Sequence, residues 1–235
     1  RFGEMGKVSI ATASGAARIS ATDYRSGTNG FSPIIVFAKP VVALDVDVPV
    51  LSDFSAPAWV GRGTIETDAF RNIRATKGAF NADIRVRGAG NRHDAFLQSG
   101  HQRTNTYTIS AGILDVKGNA DGRVWVGGSM VGIQVGSSSP SWKVVIEGSE
   151  CIDQIAGVQG QLAGLNWLIV KSVASGLLVA PNFGYVEVGD ARQLRLLAGA
   201  NLGEDLALGG EGRAADQFNF AGIIGALVSK KTWTD

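Results

Sequence analysis

Residues 124–135 read VWVGGSMVGIQV, and residues 168–179 read LIVKSVASGLLV, a similar pattern 44 residues further along the chain. Each segment has a three-residue strand, a break containing Gly or Ser, and then Gly, an apolar residue, any residue and Val. Related triplets recur at steps of 17 to 24 residues, beginning at residues 44, 65, 84, 107, 124, 144, 168, 186 and 206. Repeats of roughly 20 to 50 residues are typical of solenoids, in which each repeat buries its apolar face against its neighbours.

The spacing predicts an all-β fold, a single-stranded parallel β-helix of about nine coils, because tight breaks and no helical stretches separate the triplets. Glycine supports this prediction: 32 of the 235 residues are Gly, nearly twice the usual share of about 7%, and a chain that turns in every coil needs many turn residues. We expect an irregular N-terminal cap over residues 1–40, the β-helix over 41–210, and a C-terminal cap or oligomer contact over 211–235.

Composition excludes several other classes of protein. The formal net charge is +1, from 22 basic and 21 acidic side chains, so we expect no nucleic-acid partner. The longest apolar runs, 33–38 and 220–228, are too short for membrane insertion. The chain shows no signal peptide and no initiator Met, which suggests a fragment or a processed product. The single Cys151 allows no intrachain disulfide, His93 and His101 fit no metal spacing, and we expect no cofactor.

Alternation along the strands divides the triplets into inward and outward positions. The first and third residues of a triplet are expected to face the core, as in the ten inward positions Ile84, Val86, Val124, Val126, Val144, Ile146, Leu168, Val170, Val186 and Val188. The middle residues form an outward column, and a second column follows two residues later. The candidate site residues lie in these two outward columns, because the packing of the core does not determine which side chains occur there.

Charged residues occupy both outward columns in the coils nearer the N-terminus. Glu66 and Asp68 lie beside Arg85 and Arg87, and Glu147 follows further along. One interpretation is a polar groove for a hydroxyl-rich or charged ligand, in which Glu66, Asp68 and Glu147 are weak catalytic candidates and the arginines bind. The alternative is a solvated ladder of opposite charges. Glycosidic cleavage needs two carboxyl groups at a defined separation, which adjacent coils and many other surfaces provide.

Apolar and aromatic residues occupy the middle of the outward column. Trp125 is expected to point away from the core, where it stacks on a sugar ring or contacts another subunit. Val145 and Ile169 are expected to lie exposed on adjacent coils, and contiguous exposed apolar area usually marks an interface. We therefore expect them to be oligomer contacts, unless their assignment to the outward face is wrong.

The run at residues 166–179, NWLIVKSVASGLLV, resembles coils of right-handed parallel β-helix proteins of the pectin-lyase-like kind, in which N-x-x-I-x-x-S-x-x-x-G-I-x-V is common. The resemblance covers about residues 41–210. Within that group, the low charge and the Gly, Ser and Ala content most resemble a bacteriophage tailspike or tail-fibre fragment.

The resemblance implies a homotrimeric virion protein of the phage tail that binds, and in some cases depolymerises, bacterial surface polysaccharide. On that basis Trp125, Arg85 and Arg87 are the expected carbohydrate-binding residues. One alternative is a stand-alone polysaccharide lyase or glycoside hydrolase. Another is a non-catalytic structural or adhesin module, with an extracellular rather than a virion location.

Overall fold

A computed structural model describes residues 7–10, 16–20, 34–87, 109–148, 164–201, 217–218, 222–231 and 233–234. Strands contain 76% of these residues and helices none, so the described part of the chain is all-β. Twelve parallel strands curl through 307°, which makes the architecture solenoid-like rather than a flat open sheet. No helix in the described ranges is long and apolar enough to cross a membrane.

The strands form two parallel ladders within one sheet, and the chain alternates between them. Ladder A contains β1 (Lys7–Ile10), β3 (Ile34–Phe37), β5 (Val50–Ala56), β7 (Ala69–Ala75), β9 (Ile109–Ala120), β11 (Ser129–Ser138), the first parts of β13 (Leu165–Ala180) and β14 (Asn182–Ala198), and β17 (Ile223–Ser229). Ladder B contains β2 (Ala16–Ser20), β4 (Ala43–Asp47), β6 (Gly63–Thr67), β8 (Asp83–Val86), β10 (Arg123–Val126), β12 (Lys143–Ile146), and the second parts of β13 and β14.

Three short strands lie at the end of the stack. β15 (Ala200–Asn201) and β16 (Gln217–Phe218) form a separate antiparallel pair, and β18 (Trp233–Thr234) pairs in parallel with β14. At the other end, β1 and β2 pair in parallel with β3 and β4. Both ladders therefore extend into the segment predicted as a cap, while the domain limits and the number of coils stay predictions.

Each ladder stacks one apolar residue per rung on the next. In ladder A the successive partners are Ile35, Phe54, Ile73, Leu114, Ile133, Leu168 and Val186. In ladder B they are Ile19, Val46, Ile65, Ile84, Val124, Val144, Leu178 and Leu196. Where no long connection intervenes, consecutive partners are 18 to 20 residues apart, and these columns form the core of the solenoid.

The ten inward positions predicted from alternation are all confirmed, since each is at most 2% exposed. The spacing also predicts that the nine triplets stack on one another in register, and this prediction is wrong. The triplets at 168 and 186 belong to ladder A, whereas those at 44, 65, 84, 124 and 144 belong to ladder B. Both ladders bury an apolar–x–apolar strand in every coil, so one signature recurs on two faces. The similarity between residues 124–135 and 168–179 therefore matches a ladder B strand to a ladder A strand. The first segment begins on ladder B, whereas the second begins on ladder A.

Two registers also differ from the expected stacking. Ile65 pairs with Val46 rather than with Leu44. Ile84 pairs directly with Val124, so no rung from the triplet at residue 107 lies between them. Ile109 of that triplet begins β9 in ladder A, and residues 107 and 108 lie outside the described part, as does the triplet at 206.

The passage from ladder A to ladder B is short and packed with aromatic rings. Trp59 forms parallel bridges with Val41 and Phe80 at this A-to-B corner. Its ring centroid lies 5.3 Å from that of Phe54 and 5.6 Å from that of Phe80, in tilted and edge-on contacts. Such offset contacts stabilise aromatic pairs beyond the area that they bury, so the corner acts as a rigid edge of the core.

The opposite passage, from ladder B to ladder A, carries every long connection between neighbouring ladder strands. Residues 21–33 follow β2, residues 87–108 follow β8, and residues 147–164 follow β12. By contrast, the direct connections at the A-to-B corner contain seven residues or fewer. In repeat proteins, insertions that leave the same face in several repeats often mark the binding face, so a binding site is expected beside the B-to-A corner.

Candidate functional site

A strip of polar side chains and one aromatic side chain runs along the outer face of ladder B, beside the B-to-A corner. We call it the outer strip. It spans the five neighbouring ladder B strands β4, β6, β8, β10 and β12. Four steps of about 4.8 Å separate the first from the last, or about 19 Å. From one end to the other its members are Asp47, Glu66, Asp68, Arg85, Arg87, Trp125 and Glu147.

Arg87 is the centre of the acidic half of the strip. Its Nε lies 2.7 Å from Asp68 Oδ1, and its Nη1 lies 3.7 Å from Asp47 Oδ1 and 3.8 Å from Glu66 Oε2. Arg18 lies 3.3 Å from the other oxygen of Asp47. Partial burial acts to lower the pKa of Arg87, but the hydrogen bond to Asp68 and the three carboxylates raise it above its ordinary value.

Arg85, Trp125 and Glu147 form the other half of the strip. Arg85 and Trp125 are direct partners on β8 and β10, and the Arg85 Cζ lies 5.2 Å from the indole centroid, a cation–π contact. The indole Nε1–H donates to Glu147 Oε1 at 2.9 Å. These contacts fix the ring and place an exposed guanidinium over it.

The structure brings the sequence-predicted binding residues closer together than expected. If the triplet at residue 107 formed a rung, the two arginines would lie two coils below Trp125, about 10 Å away at ~4.8 Å per coil. In the structure they lie one rung below, because β8 pairs directly with β10. The ring is not an open stacking platform either, since Arg85 covers it and neighbouring apolar side chains pack against it. In this half of the outer strip, the Arg85 side chain is therefore the group most accessible to a ligand.

The carboxylates of the strip are engaged as acceptors. Those of Asp68 and Glu66 face the Arg87 guanidinium, and that of Glu147 accepts the indole proton. A general acid must instead hold a proton and aim it at the leaving group. In the structure the three carboxylates are held by neighbouring donors, and the catalytic role suggested for these three residues stays a prediction.

Val145 and Ile169 do not form the exposed flank that the sequence predicted. Val145 is fully buried, in a small cluster with Val179 of ladder B and Ala200 of β15. Ile169 lies on ladder A, between Gln134 and Glu187. Alternation placed Val145 apart from the main core correctly, but Ala200 and Leu197 of the same chain pack against its cluster. Val145 and Ile169 therefore give no support to an oligomer contact, and the homotrimer stays a prediction.

The other candidate residues of the sequence, the histidines and the cysteine, add no further site in the described part of the chain. No group of three or more His, Cys, Asp or Glu side chains in the described ranges is arranged to hold a metal ion. His93, His101 and Cys151 lie outside those ranges. A polar groove at the A-to-B corner, which contains Arg192 and Gln193, was missed. Its only sequence signal is the Ser-rich run at residues 136–141, which marks a loop.

Comparisons with protein-family models, curated proteins and solved structures find no match to this chain. The assignment of function therefore depends on the geometry of the outer strip and on its position in the fold.

Proposed function

We propose that the chain is a parallel β-helix of the pectin-lyase-like kind whose outer strip binds a bacterial surface polysaccharide, as the receptor-binding part of a phage tail does. The observation that carries this proposal is the position of the strip. It follows the corner at which the long connections leave the solenoid, over a length of about 19 Å. A linear polymer, unlike a small metabolite, contacts several rungs of such a surface at once.

The chemistry of the strip matches a polyhydroxylated ligand. Arginine forks and carboxylates supply donors and acceptors for sugar hydroxyls, and the edge of the Trp125 ring supplies apolar contact. Cation–π contact and the hydrogen bond to Glu147 hold these groups before the ligand arrives, which lowers the entropic cost of binding. We propose binding as the function of the outer strip, because paired side chains of both charges are held in place along it.

Replacing Arg85 with Gln is expected to weaken polysaccharide binding at least about tenfold, the effect of losing one charged hydrogen bond. Wild-type protein is first screened against purified bacterial capsular and O-antigen polysaccharides, and the strongest ligand is titrated into each variant. Because Arg85 is exposed, the melting temperature of the variant should stay close to that of the wild type.

Arg71→Gln is the matched control, because Arg71 is a partly exposed arginine on ladder A that is paired with Asp53 at 2.9 Å. Its affinity for the same polysaccharide should change less than about twofold, as expected for a surface ion pair away from the site. Equal losses in Arg85→Gln and Arg71→Gln would reject the strip as the site. A reducing-sugar assay on the bound polysaccharide separates cleavage from binding.

A further inference from the structure

A second polar surface lies at the A-to-B corner, at the corner opposite the outer strip. It is an open groove of about 670 Å³, which is within the usual range of ligand sites. We call it the serine groove. Its principal polar lining residues are Asn119, Ser137, Ser139, Ser172, Arg192 and Gln193.

The groove runs along the stack of strands rather than across it. Asn119 of β9 pairs with Ser137 of β11, and Arg192 of β14 pairs with Thr234 of β18, which also lines the groove. With β13 between these pairs, the lining spans four steps of about 4.8 Å, or about 19 Å. A groove of this length fits a short extended oligomer better than a single compact molecule.

The hydroxyl groups of the groove are oriented by neighbours. Ser137 Oγ donates to Asn119 Oδ1 at 3.0 Å, and Ser139 Oγ donates to Asp121 Oδ1 at 2.8 Å. The hydrogen bond from Ser141 and the one from Ser139 lower the pKa of Asp121, which keeps it an acceptor. Each serine oxygen retains acceptor lone pairs, so the wall offers fixed acceptors to the hydroxyls of a ligand.

Arg192 gives the groove its charge. Its Nε and Nη2 lie 2.9 and 2.8 Å from Asp190 Oδ2, and Asp190 is buried at 8% exposure. The Arg192 side chain is 62% exposed. One edge of the guanidinium is thus held, and the N–H groups that this pair does not use are turned to solvent. Among the residues that the structure describes, Asp190 lies behind Arg192 and no carboxylate lines the groove itself. A ligand anion therefore complements the outer edge of the guanidinium, and a carboxylate fits it in bidentate fashion.

Gln193 follows Arg192 in an unusual backbone conformation. Its φ is +54°, which is in the left-handed region that few residues other than glycine adopt. Glycine at this position would remove the strain, but it would also remove an exposed amide beside the guanidinium. The conformation places two polar side chains next to each other at the groove.

We infer that the serine groove binds an anionic oligosaccharide, with a uronate carboxylate on Arg192 and sugar hydroxyls on the serines and the Gln193 amide. This site is independent of the outer strip, which lies on another corner of the solenoid. The two inferences can therefore fail separately.

The test is calorimetric titration of the full chain with trigalacturonic acid, with neutral maltotriose and with inorganic sulfate. Trigalacturonic acid should bind at least about tenfold more tightly than either of the others, since only it combines carboxylates with sugar hydroxyls. Arg192→Gln should weaken it at least about tenfold, while Arg71→Gln and Arg85→Gln should change its affinity less than about twofold.

Two further variants guard against a misfolded Arg192→Gln protein. Gln193→Gly should weaken binding while the melting temperature is no lower than in the wild type, since the strain is relieved. Ser172→Tyr should block the groove from an exposed position. The inference is overturned if trigalacturonic acid does not bind at millimolar concentration, if sulfate binds as well as it does, or if neither Gln193→Gly nor Ser172→Tyr changes its affinity.

Discussion

Replacing Trp59 with Ala is expected to lower the free energy of unfolding by about 3–5 kcal/mol, the usual cost of truncating a buried Trp. The side chain is fully buried at the A-to-B corner, where it contacts the rings of Phe54 and Phe80. Truncation leaves a cavity beside Phe54 of β5 in ladder A and Gly63 of β6 in ladder B, and the pairing of these strands limits how far they can collapse into it. Urea titration followed by far-UV circular dichroism measures the change.

Two substitutions separate the cavity from other effects. Trp59→Phe is expected to cost less than Trp59→Ala, because it keeps a ring and removes an indole N–H that has no hydrogen-bond partner among the described residues. Trp233→Ala, at a tryptophan that is 43% exposed, is expected to change the free energy by no more than about 0.5 kcal/mol. Similar losses for Trp59→Ala and Trp233→Ala would show that the corner is not a core element.

Replacing Val145 with Lys is expected to cost about 3–5 kcal/mol, because it leaves an uncompensated charge in a buried site. Val145 is covered by Ala200 and Val179 of the same chain. The added side chain must therefore displace Ala200 or lose its hydration. Thermal unfolding measures the loss, and light scattering measures the mass of each protein.

Ile169→Lys is the control for this prediction. Ile169 is partly exposed on ladder A, next to Glu187, so a lysine there gains an opposite charge across the strands and should cost less than about 1 kcal/mol. If Val145 were covered by another copy of the chain instead, Val145→Lys would lower the mass in solution and leave the melting temperature of the monomer unchanged.

Alternation along short strands predicted the core well. Val124, Val144 and Leu168 are buried as expected, because every strand in a solenoid must turn alternate residues inward regardless of the face on which it lies. The assignment of strands to faces could not be obtained in the same way. Val124 and Leu168 carry the same local signature, and only pairing between distant residues places them on different ladders.

The candidate site was predicted in composition but not in geometry. Arg85, Trp125 and Glu147 were expected on one outer face, and they do lie there. Their direct contact was not predictable, because the sequence does not show whether the triplet at residue 107 contributes a rung between β8 and β10. The burial of Val145 under Ala200 was missed for a related reason, since the two residues are 55 positions apart.

The serine groove had no usable signal in the sequence. Asn119, Ser137 and Arg192 are polar residues in separate strands, and each alone is typical of a solvated surface. They line one groove only because β9, β11 and β14 place them at the same corner of the stack. Such a surface is a product of register, and register depends on contacts across many residues.

The most direct test of this account is a disulfide between ladder B positions 85 and 125. The outer strip depends on the direct pairing of Arg85 with Trp125. In a Cys151→Ser background, Arg85→Cys with Trp125→Cys should oxidise to a disulfide that intact-mass spectrometry detects, since neighbouring parallel strands lie about 4.8 Å apart. Glu66→Cys with Arg85→Cys, also direct partners, is the positive control, and Glu66→Cys with Trp125→Cys is the negative control.

If a rung lay between residues 85 and 125, their Cα atoms would be about 10 Å apart, beyond the limit of about 7 Å for a disulfide. We expect a disulfide for the 85–125 pair and none for the 66–125 pair. An 85–125 pair that stays reduced while the 66–85 pair oxidises would contradict the register, and with it the outer strip.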